Sequence, residues 1–144
     1  MAEEIIKKKK EKIVHTTGSR KRAIARAVAK SGTGKVRINS KPIELLEPRY
    51  LRMRVNEPIQ LSKGIADQID IDVKVTGGGI WGQADAARTA IATALVDFSG
   101  DKELREIFVD YDRTLLVPDS RRTEPHKPSR SKAGPRRGKQ QSKR

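Results

Sequence analysis

The sequence predicts one modest domain that mixes strands with helices, its sheet covered on one face only, followed by a long cationic arm. Three stretches carry that prediction. Ile69 to Thr76 sets Ile69, Ile71, Val73 and Val75 on one side and Asp70, Asp72, Lys74 and Thr76 on the other, the period of two of a strand with one buried and one wet face. Ala84 to Phe98 carries Ala84, Ala87, Ile91, Leu95 and Phe98 at helical spacing, a single apolar stripe. Asp119 to Arg144 holds ten Lys/Arg against two acids, three prolines, two glycines and one apolar side chain, Ala133. Such a composition cannot bury enough surface to offset the entropy of ordering a backbone. The arm is therefore expected to be disordered in water and to take shape only along a polyanion. Fully extended it reaches about 90 Å, at roughly 3.4 Å per residue.

The totals agree. A chain of 144 residues with a net charge of +14 and a pI of 10.4 fits one domain with tails and an anionic partner, nucleic acid in preference to an acidic membrane. There is no cysteine, hence no disulfide framework and no thiolate chemistry. The start, MAEEIIKKKKEKIV, is too polar for a signal peptide, and no run approaches the roughly 18 apolar residues of a membrane span. A soluble cytosolic protein without membrane contact is expected. Aromatic residues make up 3%, so the core must be built from Ile, Val, Leu and Ala. Charge is segregated along the chain. Arg20 to Arg54 holds eleven bases and two acids, and Val55 to Pro118 holds six bases and eleven acids. A basic front, an acidic back and a basic arm suggest orientation on a partner rather than general stickiness.

In order, residues 1–11 read as a charged lead-in, in which Lys7–Lys10 is either a solvated tail or a minor contact. Lys12 to Thr17 reads as a short strand, and Thr17-Gly18-Ser19-Arg20-Lys21-Arg22 as a turn loaded with cations. Ala23 to Lys30 has helix-favouring alanines, yet Ile24, Arg26, Val28 and Lys30 alternate with Ala23, Ala25, Ala27 and Ala29. Gly32-Thr33-Gly34 and the alternating Lys35-Val36-Arg37-Ile38 follow. Strand, turn, strand is the preferred reading, a hairpin whose alanine face lets a helix pack close. Asn39-Ser40 and Lys41-Pro42 read as a turn into a helix start. Ile43–Glu47 and Pro48–Val55 read as two short helical pieces, and Pro58 to Ser62 as a further turn ended by Gly64. Arg49 and Arg52 share one helix face, open either to solvent or to RNA. After the helix Ala84 to Phe98, Gly100 is its stop and Asp101 the cap of a last helix, Lys102 to Val109, with Leu104, Ile107 and Phe108 toward the core. Leu115-Leu116-Val117 is a final anchor before the arm.

Gly77-x-Gly79-x-x-Gly82 satisfies the dinucleotide fingerprint between a strand and a helix. The remaining requirements fail. Asp97 sits inside the helix and Asp101 caps the next one, so neither can end a second parallel strand, and too little chain follows for a doubly wound sheet. What survives is a glycine loop that permits close backbone approach, next to a helix N-terminus with free N–H groups. That suits an RNA phosphate as well as a pyrophosphate, with Gly78, Gly79 and Gln83 as the candidates. Trp81, the sole tryptophan, either stacks on a base or packs in the core or loop, the second being preferred. His15 and His126 are the only histidines and stand far apart. The acids show neither paired catalytic nor metal-loop spacing. No catalytic residue, metal or cofactor is expected.

Taken together, Thr17-Gly18-Ser19-Arg20-Lys21-Arg22-Ala23, Ala25-Arg26-Ala27, the run from Gly77 to Arg88, Asp119-Ser120-Arg121-Arg122 and the terminal Gln141-Ser142-Lys143-Arg144 resemble the universal S-nine family of small-subunit ribosomal proteins, whose eukaryotic counterpart is number sixteen. Asp112-Arg113-Thr114-Leu115-Leu116 and Arg121-Arg122-Thr123-Glu124-Pro125 are similar to its archaeal and eukaryotic branch. The Glu-Arg-Lys-Lys run of the bacterial branch is lacking. The resemblance implies an α+β domain with one four-stranded sheet and helices on one face, in the ribosomal S-five second-domain fold with its left-handed βαβ crossover. It also implies a structural, non-enzymatic constituent of the cytoplasmic ribosome, in the head of the small subunit. Partners would be the 16S-type rRNA and neighbouring ribosomal proteins, with Ser142, Lys143 and Arg144 at the anticodon arm of the peptidyl-site tRNA. No small-molecule substrate is implied.

The expected division is a lead-in at 1–11, a globular body at 12–118 and an RNA-binding tail at 119–144. The expected rRNA contacts of the body are Arg20, Lys21, Arg22, Arg26, Arg37, Arg49, Arg52 and Arg54. Those of the arm are Arg121, Arg122, Lys127, Arg130, Lys132, Arg136, Arg137 and Lys139. Gly134, Gly138 and the prolines would keep the arm thin. A free-standing nucleic-acid-binding regulatory protein, its tail only an electrostatic tether, is the alternative.

Overall fold

The structure is a computed structural model that describes residues 12–123. The lead-in and the arm beyond Thr123 lie outside the described residues, and with them the expected contacts Lys127, Arg130, Lys132, Arg136, Arg137, Lys139, Ser142, Lys143 and Arg144. The body is α+β, with strands β1 (Ile13–Arg20), β2 (Ala23–Ser31), β3 (Val36–Ile38), β4 (Lys41–Pro42) and β5 (Ile69–Thr76) and helices α1 (Arg49–Leu61), α2 (Ile80–Ser99) and α3 (Lys102–Tyr111). The sheet has five strands in the order β1-β2-β5-β3-β4, one more than the expected four. The extra strand is the two-residue β4 at the edge.

The alternation in β2 decides its state against its alanine content. Ala23, Ala25, Ala27 and Ala29 are buried and Ile24, Arg26 and Lys30 face out. β5 follows the same rule, with Ile69, Ile71, Val73 and Val75 inside. The inner face of the sheet is thus half alanine and half branched aliphatic. Helix α2 lies over β1, β2 and β5, and α1 and α3 pack against α2. The outer face carries no helix among the described residues.

Small side chains set how close α2 comes. A Cβ at Gly18 of β1 would stand 2.2 Å from the Ala86 carbonyl oxygen and 2.7 Å from the Ala90 nitrogen. Two residues earlier, the buried Thr16 hydroxyl donates to the Ala90 carbonyl at 2.9 Å. Helix backbone and strand are therefore in direct contact, and no other residue type fits at position 18. The cations of the first turn are also placed differently from expectation. Thr17 to Arg20 belong to β1, and only Lys21-Arg22 turn, with Lys21 at φ 54°.

Gly32-Thr33-Gly34 does not close a hairpin. β5 enters between β2 and β3, antiparallel to the first and parallel to the second. The link wraps the start of β5 instead. The Asp70 carboxylate accepts from the Thr33 and Lys35 amides at 2.8 and 3.0 Å, and Gly32 N–H donates to the Gln68 carbonyl. The real tight hairpin is β3–β4, with Asn39 and Ser40 at φ 48° and 68°, both positive as a two-residue type I′ turn requires. The Asn39 side chain then extends the ladder, accepting from Val75 N–H at 2.9 Å and donating to its carbonyl.

The expected helical pieces Ile43–Glu47, Pro48–Val55 and Pro58–Ser62 become a 3-10 turn, Ile43–Leu45, and one continuous α1. Pro58 removes a hydrogen bond inside α1, but it is buried with Leu51 and Val55, and packing carries the helix through. α2 begins at Ile80, a turn before the expected Ala84, because Gly79 caps it and Gln83 N–H donates back to Gly79 O. Gly100 at φ 70° ends it, and the Asp101 carboxylate caps α3 through Glu103 N–H. Leu104 and Phe108 are buried with Leu115 of the final anchor, while Val117 is 44% exposed.

Gly18→Ala is expected to lower unfolding stability by at least about 2 kcal/mol in urea titration, because overpacking here presses on backbone. Gly79→Ala, which meets nothing within 4 Å, is expected to cost at most about 1 kcal/mol, the scale of a lost glycine cap.

Candidate nucleic-acid interface

Sequence-distant cations converge at one corner of the body. The β1–β2 turn supplies Lys21 and Arg22, both exposed. The glycine loop after β5 packs against that turn. A Cβ at Gly77 would lie 2.7 Å from the Arg22 carbonyl oxygen, and one at Gly78 would lie 2.9 Å from Ala23 N, with φ of 76° and 66°. These two glycines serve backbone approach, whereas Gly79 faces open space. The Gln83 amide donates to Gly77 O at 3.0 Å and so holds the loop. The N-terminus of α2 opens at the same place.

The root of the arm arrives at this corner as well. Asp119 accepts from the Arg121 amide at 2.9 Å and from its guanidinium at 2.9 and 2.7 Å, and it contacts Arg20 Nη1 at 2.9 Å. Arg122 Nη1 donates to the Lys21 carbonyl. The Arg121 hydrogen bonds, helped by the positive charges of Arg121 and Arg20, hold the Asp119 carboxyl down at about 2. Arg121 itself remains 81% exposed along its side chain. The arm is thus clasped at its first residue and its next two cations stand beside the two of the turn.

The other expected contacts separate into two kinds. Arg26 lies on the outer sheet face, directly opposite Lys74, a like-charge pairing that is unfavourable without a counter-anion. Arg37 lies on the same face in register with Asp72. Arg49 is exposed, and Arg52 donates to the Glu44 carbonyl at 2.7 Å. None of these four, nor Lys21 or Arg22, is ion-paired among the described residues. Arg20 and Arg54, in contrast, sit in an internal chain of charges. Arg20 also reaches Asp85 at 3.8 Å, and Arg54 meets Asp85 at 3.2 Å and Glu57 at 3.3 Å. Burial opposes the charge of Arg54, and Asp85 and Glu57 restore it and raise its pKa.

The segregation read along the chain is broken at the sheet. β5, from the acidic stretch, is inserted between basic strands, and Asp70 and Asp72 stand in register with Lys30 and Arg37. Of the remaining acids, Glu57, Asp85 and Asp112 are engaged by arginines, whereas Asp67, Asp97, Glu103, Glu106 and Asp110 are exposed. Arg88, 2% exposed, contacts Glu57 at 2.6 Å and Asp112 at 3.0 Å. Burial pushes the Asp112 carboxyl up, but hydrogen bonds from Thr114 and Arg88 outweigh it and leave the pKa lowered. Sequence reasoning passed over Arg88 as an internal charge. The available signal was its place on α2, four residues from Ala84 and three from Ile91, inside the apolar arc. Nothing in the sequence singles out Tyr50, which the fold brings to Trp81 with ring centroids 5.2 Å apart and planes 9° from parallel. Trp81 is 55% exposed, in neither core nor loop.

The polar cleft among Arg20, Arg54, Asp85, Arg88 and Asp119 has a volume of about 110 Å³, well under the roughly 300–1,000 Å³ of small-molecule sites. α2 leads into α3 and not into a parallel strand, so the glycine fingerprint lacks its ribose-binding acid. Among the described residues no helix is long and apolar enough to cross a membrane, and no group of three or more His, Asp or Glu could hold a metal ion.

The sequence family described as ribosomal protein S9/S16 matches residues 18–144. The small ribosomal subunit protein uS9 of Methanococcus vannielii is 57% identical over 131 residues, covering 91% of this chain and 98% of the relative. Those of two Methanococcus maripaludis strains, C5 and S2, are 57% and 56% identical over the same length and the same shares.

Asp119 has a pKa lowered in the folded state, so its clasp contributes fully above the ordinary value near 3.8 and is lost as pH falls through about 2. Carboxyl NMR is expected to give Asp119 a midpoint near 2 and to move it up toward the ordinary value in Arg121→Ala. Arg88→Ala leaves Glu57 with Arg54 alone and Asp112 with Thr114 alone, and is expected to cost about 1.5–3 kcal/mol in denaturant unfolding, the scale of lost hydrogen bonds to a charged group.

Proposed function

The chain belongs to the ribosomal protein S9/S16 family, and on that premise we propose that it is a structural constituent of the small ribosomal subunit, an archaeal-type member that binds rRNA of the head and performs no catalysis. Residues 1–11 are a lead-in, 12–118 a mount, and 119–144 an arm that runs along RNA. The observation that carries this reading is the corner where Arg121 and Arg122 leave the body beside Lys21 and Arg22. Among the described residues, the four cations there lack an acid partner other than the Asp119 clasp on Arg121. Cations so placed replace the counterions condensed on phosphate, and binding is steeply salt dependent as a result. Arginine dominates the set because its planar fork bridges phosphate oxygens and stacks on bases, which lysine does not. Contacts go mainly to phosphate and sugar and read shape.

Arg26, Arg37, Arg49 and Arg52 add body contacts. Gly78, Gly79 and Gln83 offer backbone and amide donors at the α2 N-terminus. Arg20 and Arg54 act mainly by holding the acids that would otherwise repel RNA. Along the arm, Lys127, Arg130, Lys132, Arg136, Arg137 and Lys139 continue the phosphate contacts. Ser142, Lys143 and Arg144 reach the anticodon arm of the peptidyl-site tRNA. Other proteins of the head are its neighbours, and the particle is the cytoplasmic ribosome.

Co-sedimentation with small subunits at moderate salt is the primary test, and its absence overturns the reading. Replacing Lys21, Arg22, Arg121 and Arg122 by Ala is expected to flatten the log–log salt dependence of rRNA binding by about 3, roughly 0.7–0.9 per lost phosphate contact. Deleting Ser142–Arg144 is expected to weaken retention of peptidyl-site tRNA on reconstituted subunits while leaving their assembly nearly intact.

A further inference from the structure

We propose that the Tyr50–Trp81 stack is a docking platform for an unpaired RNA base, a contact separate from the cationic corner and resting on the rRNA-binding reading above. Tyr50 lies in the first turn of α1 and Trp81 in the first turn of α2. Their rings are near parallel at 9° and 5.2 Å apart. The two residues are 57% and 55% exposed, in a chain with only five aromatic residues besides histidine: one Trp, two Tyr and two Phe. Stacking covers one face of each ring and leaves the outer faces to solvent. Core packing does not explain this, because neither side chain enters the buried cluster.

The chemistry around the rings favours a nucleotide. Lys41 to Arg54 carries four cations against two acids, Glu44 and Glu47. Arg49 and Arg52 have no carboxylate within ion-pair distance among the described residues, while the nearby acids Glu57 and Asp85 are held by Arg88 and Arg54. Arg52 donates to the Glu44 carbonyl, which leaves Arg49, exposed and the chain neighbour of Tyr50, as the guanidinium available to a phosphate. A flat aromatic surface with such a group next to it in the chain is what a splayed-out base with its phosphate requires. The π-face accepts any base, so the platform reads strandedness rather than sequence. A protein partner, drawn to the exposed Met53 and Ile80 nearby in the chain, is the competing occupant.

The sole tryptophan makes the test direct. The full chain is titrated with single-stranded oligoadenylate, with an RNA duplex of equal phosphate number, and with heparin, which has charge but no bases. Indole emission should be quenched by the single strand and little changed by duplex or heparin at equal saturation. Trp81→Ala should weaken single-strand binding about tenfold, within the range of one lost stacking contact, with duplex affinity and salt slope unchanged and Trp81→Phe largely restoring it. Tyr50→Leu should reduce the quench while Trp81 still reports. Both exposed positions tolerate substitution, which circular dichroism checks. Equal quenching by all three polyanions, or unchanged single-strand affinity in Trp81→Ala, overturns the platform while leaving salt-dependent rRNA binding intact. Shielding of Trp81 in the assembled subunit without quenching by RNA alone assigns the patch to a protein and also overturns it. Loss of all RNA binding in the unmodified chain removes the ribosomal reading and the platform together.

Discussion

Helix α2 touches the backbone of β1. At Gly18 there is no space for a single carbon beyond Cα, and the alanines of β2 continue the same low surface under the helix. Interiors are packed at crystal-like density, so a contact of this kind is fixed to within tenths of an ångström. Much else is located by it. It brings the α2 N-terminus to the β1–β2 turn, where Gly77 and Gly78 lie on Arg22 and Ala23. It also sets Arg88 inward toward Glu57 and Asp112. A chain with few aromatic residues lacks bulky side chains to fill a wide gap between helix and sheet. Closing the gap is the available solution, and it needs glycine and alanine.

Charge in the body has two uses that depend on exposure. Ion pairs at the surface are worth about 0–1 kcal/mol, so the exposed arginines of the outer sheet face and of α1 add little to stability. Arg88 differs because its head group is out of water and bonded on two sides. Between these extremes stand Arg20 and Arg54, which occupy Asp85 and Asp119. On the rRNA-binding proposal, engaging these carboxylates removes charges that would repel phosphate. Three acids of the Val55 to Pro118 stretch, Glu57, Asp85 and Asp112, are thus taken up by arginines, while Asp70 and Asp72 remain on the sheet and Asp67, Asp97, Glu103, Glu106 and Asp110 are exposed.

The clasp at Asp119 gives the arm a fixed point of departure. Asp119 is bonded both to its own neighbour Arg121 and to Arg20 of β1, and Arg122 bonds back to the Lys21 carbonyl. The cations of body and arm thereby form one continuous patch, even though 99 residues of sequence separate Arg22 from Arg121.

The sequence by itself determined the elements whose signal is periodic or compositional. β5 has the bounds that alternation gave it, Ala23 to Lys30 is a strand despite its alanines, and Gly100 and Asp101 stop and start helices as their backbone chemistry requires. Such signals are local, because burial on one face writes itself into every second or every third to fourth residue. The family motifs likewise identified an α+β ribosomal protein, down to its archaeal character. Only the tertiary structure decided which strands neighbour one another. The Gly32–Gly34 link looked like a hairpin because nothing local shows that β5, 35 residues later, takes the place beside β2. The same reason hid the stacking of Tyr50 on Trp81, the burial of Arg88 and the pairing of Arg20 with Asp119. Each depends on two residues far apart in sequence, and that information resides in the packing of α2 on the sheet rather than in any stretch of the chain.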